Sequence, residues 1–122
     1  MTPEQEGHFR ATAYHAPPWV FRIGAPCPDV GATCWAFVTA CNPDAIEQDA
    51  ATNKRAMAKL KAELDAGGWR WQDGEGQADD GPWAEASVLV FEMDPAQAVE
   101  LGRRWRQVAV LVGRRGGVVE LL

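Results

Sequence analysis

"FVTACNPDAIEQDAATNKR", Phe37 to Arg55, decides how this chain folds. It opens as an apolar strand, breaks at Asn42-Pro43 and continues into a helix. Proline lacks a backbone donor and holds φ fixed, so a central strand cannot run through it. Beyond the break, Ile46, Ala50, Asn53, Met57, Leu60 and Leu64 recur at alternating steps of four and three residues, the period of an amphipathic helix. Gly67-Gly68 ends that helix. Its start has two readings: Asn42 caps with Pro43 at the first helical position, or Asp49 caps a shorter helix from Ala50. Asn53 falls on the apolar stripe, where a buried amide must find partners for its donors and acceptor.

Working outward, "TCWAFVTAC" (Thr33–Cys41) is apolar on both faces, the mark of an interior strand. One face carries the small residues Cys34, Ala36, Val38 and Ala40, suited to a closely packed helix, and the other carries Trp35 and Phe37. "WVFRI" (Trp19–Ile23) is a preceding strand and "WRWQ" (Trp69–Gln72) a short third one. "DGEGQADDGP" reads as an acidic, glycine-rich loop. "WAEASVLVFEM" (Trp83–Met93) is the strongest strand. Asp94-Pro95 opens a second helix to about Trp105, with Ala98, Leu101 and Trp105 inward. "QVAVLVG" and "GVVELL" form a closing hairpin. The order is ββαββαββ: an α/β or α+β single domain, with two main helices and a mixed sheet of five or six strands. The two strand–helix–strand units predict parallel pairs joined by right-handed crossovers. Residues 1–8 are expected as a flexible leader and 9–122 as the domain.

Composition narrows the function classes. The chain has 122 residues, six tryptophans and a net charge of −5. That charge argues against a general phosphate-backbone binder, so no nucleic acid is expected. Arg103, Arg104, Arg106, Arg114 and Arg115 cluster late; they are read either as a solvated face or as a basic patch for an anionic partner. Cys27, Cys34 and Cys41 are odd in number, lack Cys-x-x-Cys spacing, and predict free thiols in a reducing, cytoplasmic setting. Their spacing and strand parity predict no zinc, and His8 and His15 lie only near the N-terminus. The acidic loop lacks EF-hand spacing. No phosphate loop, nucleotide fingerprint or nucleophile elbow is present, so no cofactor is expected. No apolar run reaches membrane-spanning length.

The topology brings polar residues to one sheet edge if the acidic loop reverses the chain. The end of the second strand (Thr39, Asn42), the start of the fourth (Glu85), the start of the fifth (Gln107) and the start of the first helix (Asn53) would then converge. Asn53 ties the strand–helix turn by bonding backbone of Thr39–Pro43, or lines a polar pocket. Glu85 is a structural ion-pair partner of Arg22 or Arg55, or a ligand anchor and candidate general base with its pKa raised by desolvation. Gln107 and Arg22 read as edge and solvent-facing residues, or as pocket groups. The candidate ligand-binding set is Arg22, Thr39, Asn42, Asn53, Arg55, Glu85 and Gln107, with Glu85 the catalytic candidate and no metal ligand.

"FRATAY", "FRIG", "AFVTACNP", Asn53 with Arg55, "GW", "GEG", "WAEAS" and "RRWRQVAVLVG" together resemble the bacterial DUF3293 family, proteins of unassigned function. The resemblance implies that Asn42, Pro43, Asn53, Glu85 and Gln107 belong to the family pattern, and it brings no reaction, substrate or cofactor. Asp44-Ala45 stands where the family often has a serine. Three function classes are carried forward. The first is a binding module for a small polar molecule or protein partner at a sheet edge. The second is an assembly domain forming a homodimer through an aromatic face. The third is an enzyme using Glu85 as acid or base with amide and arginine anchors.

Overall fold

The computed structural model describes residues 1–122. It holds three α-helices, α1 (Pro3–Arg10), α2 (Ala50–Ala66) and α3 (Pro95–Arg104). Its strands are β1 (Thr12–Ala16), β2 (Trp19–Phe21), β3 (Cys34–Val38), β4 (Trp71–Ala78), β5 (Ala84–Phe91), β6 (Leu111–Arg114) and β7 (Glu120–Leu121). All seven form one sheet in the order β2-β1-β4-β5-β3-β6-β7. Every pairing is antiparallel.

This corrects the expected mixed sheet of five or six strands. β3 and β4 do run the same way, as do β5 and β6, but neither pair is adjacent. The α2 crossover spans β5, and the α3 crossover spans β3. The β4–β5 hairpin is local, so it forms at low loop entropy and fixes β5 beside β4. The resulting β3-α2-β4-β5-α3-β6 unit is the split βαβ, ferredoxin-like arrangement. The β1–β2 hairpin extends one edge and β7 the other.

Two strands, β1 and β4, depart from the residue pattern for identifiable reasons. β1 is rich in alanine, a poor strand former, and owes its strand state to partners on both sides. β4 runs on through what looked like the acidic loop. Gly74 is a packing residue: a Cβ there would lie 2.7 Å from the Phe37 ring. Residues 1–8, expected as a leader, carry most of α1, whose start is closed by a reciprocal bond pair between Thr2 and Gln5.

The sheet buries both faces. On one, Ala36, Val38, Val88, Val90 and Val112 pack under Met57, Leu60 and Leu64 of α2 and Ala98 and Leu101 of α3. The small face of β3 thus meets the helices, as its residue sizes require. On the other, Trp35, Phe37, Leu89 and Phe91 pack against Tyr14, Ala16 and Phe21 of the curled N-terminal hairpin and Val30 and Ala32 of the loop before β3. β3 and β5 are interior, and each is followed by a helix. α2 begins at Ala50 with Asp49 as its cap, whose carboxylate accepts from Thr52 N–H at 2.7 Å. Pro43–Ala45 forms a separate short 3-10 turn. Ile46 therefore drops off the helical stripe and is 60 % exposed. α3 starts at Pro95, where Asp94 and Gln97 cap each other reciprocally.

Candidate functional site

The break after β3 sets up the site. Asn42, Asp44 and Ala45 all lie in the left-handed region, at φ 49°, 58° and 58°. Asparagine tolerates that conformation, but alanine does so only at a cost in free energy. The strained loop is clamped from the α3–β6 connection. Asp44 N–H donates to Arg106 O at 2.7 Å, and the Arg106 guanidinium pairs with the Asp44 carboxylate. Strain held by surrounding contacts is a recurring mark of functional segments.

Within this loop Asn42 is the hub. Its Oδ1 accepts from Gln48 N–H and from Asn53 Nδ2, each at 2.9 Å. Its own backbone N–H donates to Asn53 Oδ1 at 3.0 Å. Asn42 Nδ2 donates to Glu85 Oε2 at 2.9 Å. The two backbone donors, Gln48 N–H and Asn42 N–H, can only meet an oxygen, so they fix both amides in one orientation. Asn53 thus sits on the apolar stripe because it ties α2 to the break after β3.

Glu85, near the start of β5, is largely buried, and burial pushes its carboxyl above the ordinary range despite the opposing bond from Asn42. No cation pairs with it. Oε1 has no protein partner, and it is not among the buried unsatisfied atoms, so it is open to solvent. Gln107 repeats the pattern. Its Nε2 donates to Cys41 O and Trp105 O, both at 3.1 Å, which turns Oε1 outward without a partner. Thr39 donates to Ala86 O at 2.7 Å and accepts from Cys41 N–H at 3.0 Å, closing the end of β3.

These residues line an open cleft of about 1070 Å³ between the start of β5, the first turns of α2, the Val108–Ala109 segment and the N-terminal helix. Thr39, Asn42, Asn53, Glu85 and Gln107 share it. Arg22 and Arg55 do not. Arg22 forms a bidentate pair with Asp79 at 2.7 and 2.8 Å, and Arg55 reaches only Thr52 at 3.3 Å. The expected arginine partner of Glu85 is therefore absent. Four of the five late arginines pair with carboxylates, Arg103 with Glu100, Arg104 with Glu63 and Glu100, Arg106 with Asp44 and Arg115 with Asp29, and Arg114 has no carboxylate partner.

Sequence reasoning missed several wall residues: Trp83, Lys54, Cys41, Met57, and Glu4, His8 and Phe9 of α1. Trp83 was within reach, since it precedes Glu85 by two positions and so shares its side of the chain. The α1 wall had no sequence signal, because its place over the cleft comes from the fold; His8 meets the Trp83 ring edge-on at 4.6 Å. Burial pushes the Cys41 thiol up, which disfavours a thiolate nucleophile. No group of three or more His, Cys, Asp or Glu side chains is placed to hold a metal, and all three cysteines are free. No helix is long and apolar enough to cross a membrane.

Fold and site together define a small α+β domain whose split βαβ units meet at a carboxylate–amide cleft. The chain belongs to the DUF3293 family, described as protein of unknown function, whose family model matches residues 38–110. That span contains Asn42, Asn53, Glu85 and Gln107, while Arg22, α1, β1 and β2 precede it. No curated protein and no solved structure matches the chain.

Proposed function

We propose that this domain is a binding module whose cleft takes a small polar molecule, with Glu85 as anchor and Gln107 and Asn53 beside it. The carrying observation is Glu85 itself, a largely buried carboxylate with one oxygen held by Asn42, no cation partner, and the other oxygen open on a cleft wall. A buried carboxylate without a counter-charge costs free energy, and a ligand donor recovers part of it. The strained, clamped Asn42–Ala45 loop supports the same reading. Trp35, Phe37 and Phe21 pack inside the domain, so these three rings are not available to an aromatic face between copies. The three free thiols suit a reducing, cytoplasmic setting.

The test is protein-observed NMR with a mixed library of small polar fragments. Shifts should concentrate on Asn42, Asn53, Gln48 and Gln107. Shifts scattered over the surface, or centred on residues outside this cleft, would refute the reading.

One observation favours acid–base catalysis as a second reading. Because Asn42 Nδ2 demands an acceptor at Glu85 Oε2, a proton on Glu85 resides on Oε1, the oxygen open to the cleft. A carboxyl with raised pKa and a directed proton suits general acid or base work.

A further inference from the structure

The cleft has a hydrogen-bond polarity that specifies its ligand more closely than "polar". Resting on the binding reading above, we propose that the ligand is a small organic cation rich in N–H donors, an amine, amidine or guanidine, whose head bridges Glu85 Oε1 and Gln107 Oε1 and whose body lies along Trp83.

Three observations carry this. First, two side-chain oxygens on the wall next to the Asn42 hub, Glu85 Oε1 and Gln107 Oε1, have no partner and are both acceptors while Glu85 is ionised. With Glu85 ionised, neither can rotate to offer a donor. Gln107 is locked by two backbone carbonyls that accept only from its NH₂, and Glu85 is locked through Asn42 by the N–H of Gln48. A donor-rich head satisfies both oxygens, whereas a carboxylate or phosphate would meet lone pair with lone pair.

Second, the charges favour a cation. Glu4, Glu47 and Glu85 line the cleft, and none is in an ion pair. Of the two lysines there, Lys61 is neutralised by Asp73 at 2.6 Å, leaving Lys54 as the one unpaired ammonium. The N-terminus of α2, which would attract an anion, is already capped by Asp49. Third, Trp83 on the same wall is 37 % exposed, and an indole face attracts an organic cation.

The test uses three probes of nearly one shape and different charge: benzamidinium, benzamide and benzoate, each titrated to millimolar concentration into ¹⁵N-labelled protein. Benzamidinium should move the side-chain amides of Asn42, Asn53 and Gln107 and bind more tightly than either of the others. Glu85→Gln should weaken it about tenfold, the size of one lost charge-assisted hydrogen bond. That variant keeps an oxygen for Asn42 and turns an NH₂ into the cleft. Trp83→Ala, at an exposed position, should weaken it several-fold and covers the case in which Glu85→Gln does not fold. If benzoate or benzamide binds these signals as well as benzamidinium, or if neither variant weakens it, the cleft is a site but the cation class is wrong. If no probe moves these signals, both the class and the binding reading fall.

Discussion

Asn53 shows how one polar residue on an apolar stripe governs a turn. Its amide exchanges two hydrogen bonds with Asn42, one to backbone and one to side chain. Asn53→Ala strands both partners, so it should destabilise the fold by about 1–3 kcal/mol in chemical denaturation. Asn53→Leu should be no milder, because it restores no bond and adds bulk. Glu85 behaves oppositely. Its folded-state pKa is raised, so the folded protein binds this proton more tightly than the unfolded chain. The stability it contributes is full below the unfolded value of about 4.3 and is lost as pH rises through the raised folded value. Glu85→Gln keeps the acceptor for Asn42 and removes the desolvated charge. It should match the parent near pH 4 and exceed it in denaturation midpoint near neutral pH, with the gap opening between. A parent more stable than the variant at neutral pH would mean that the charge is compensated within the fold.

Among the elements, the loop Asn42–Ala45 and the strand β4 hold the site in place. Ala45 has φ 58° with a Cβ, which disfavours that conformation. Ala45→Gly should therefore stabilise the protein by up to about 1 kcal/mol, read as a rise in melting temperature. A fall would mean that the methyl makes a contact outweighing the strain. In β4, Gly74 lies beneath Phe37, and the His15 carbonyl would stand 3.0 Å from an added Cβ. Gly74→Ala should cost about 1–3 kcal/mol by overpacking, although alanine is the better residue elsewhere in a strand. A neutral result would show that the Phe37 ring gives way. These elements also explain what the residue pattern hid. Gly74 looks like loop punctuation, but it marks where Phe37 and the His15 carbonyl of β1 press close.

At the scale of the whole molecule, the interior strands should be the last to open. β3 and β5 are paired on both sides and buried on both faces, so their amides should show the slowest hydrogen exchange. α1, which buries no residue, should exchange fastest among the helices. Comparable protection in α1 would indicate that it is an integral wall of the cleft and not an added one.

The residue pattern determined the interior strands, the helices α2 and α3, the cap at Asp94 and the inward place of Asn53, because each depends on contacts within a few residues; it left the start of α2 open between Pro43 and Ala50, and the structure selects Asp49 as the cap. It also carried the convergence of Asn42, Asn53, Glu85 and Gln107, once the chain reversed between β4 and β5. Only tertiary structure decided strand adjacency. Whether β5 lies beside β3 or outside it changes no local preference, and only packing both sheet faces selects one order. The partner of Arg22 was likewise decided at long range, since Asp79 lies 57 positions away and nothing local marks it. So was the absence of any cation at Glu85. An open acceptor is a property of what the rest of the chain leaves unfilled, and that emerges only when the whole sheet has closed around it.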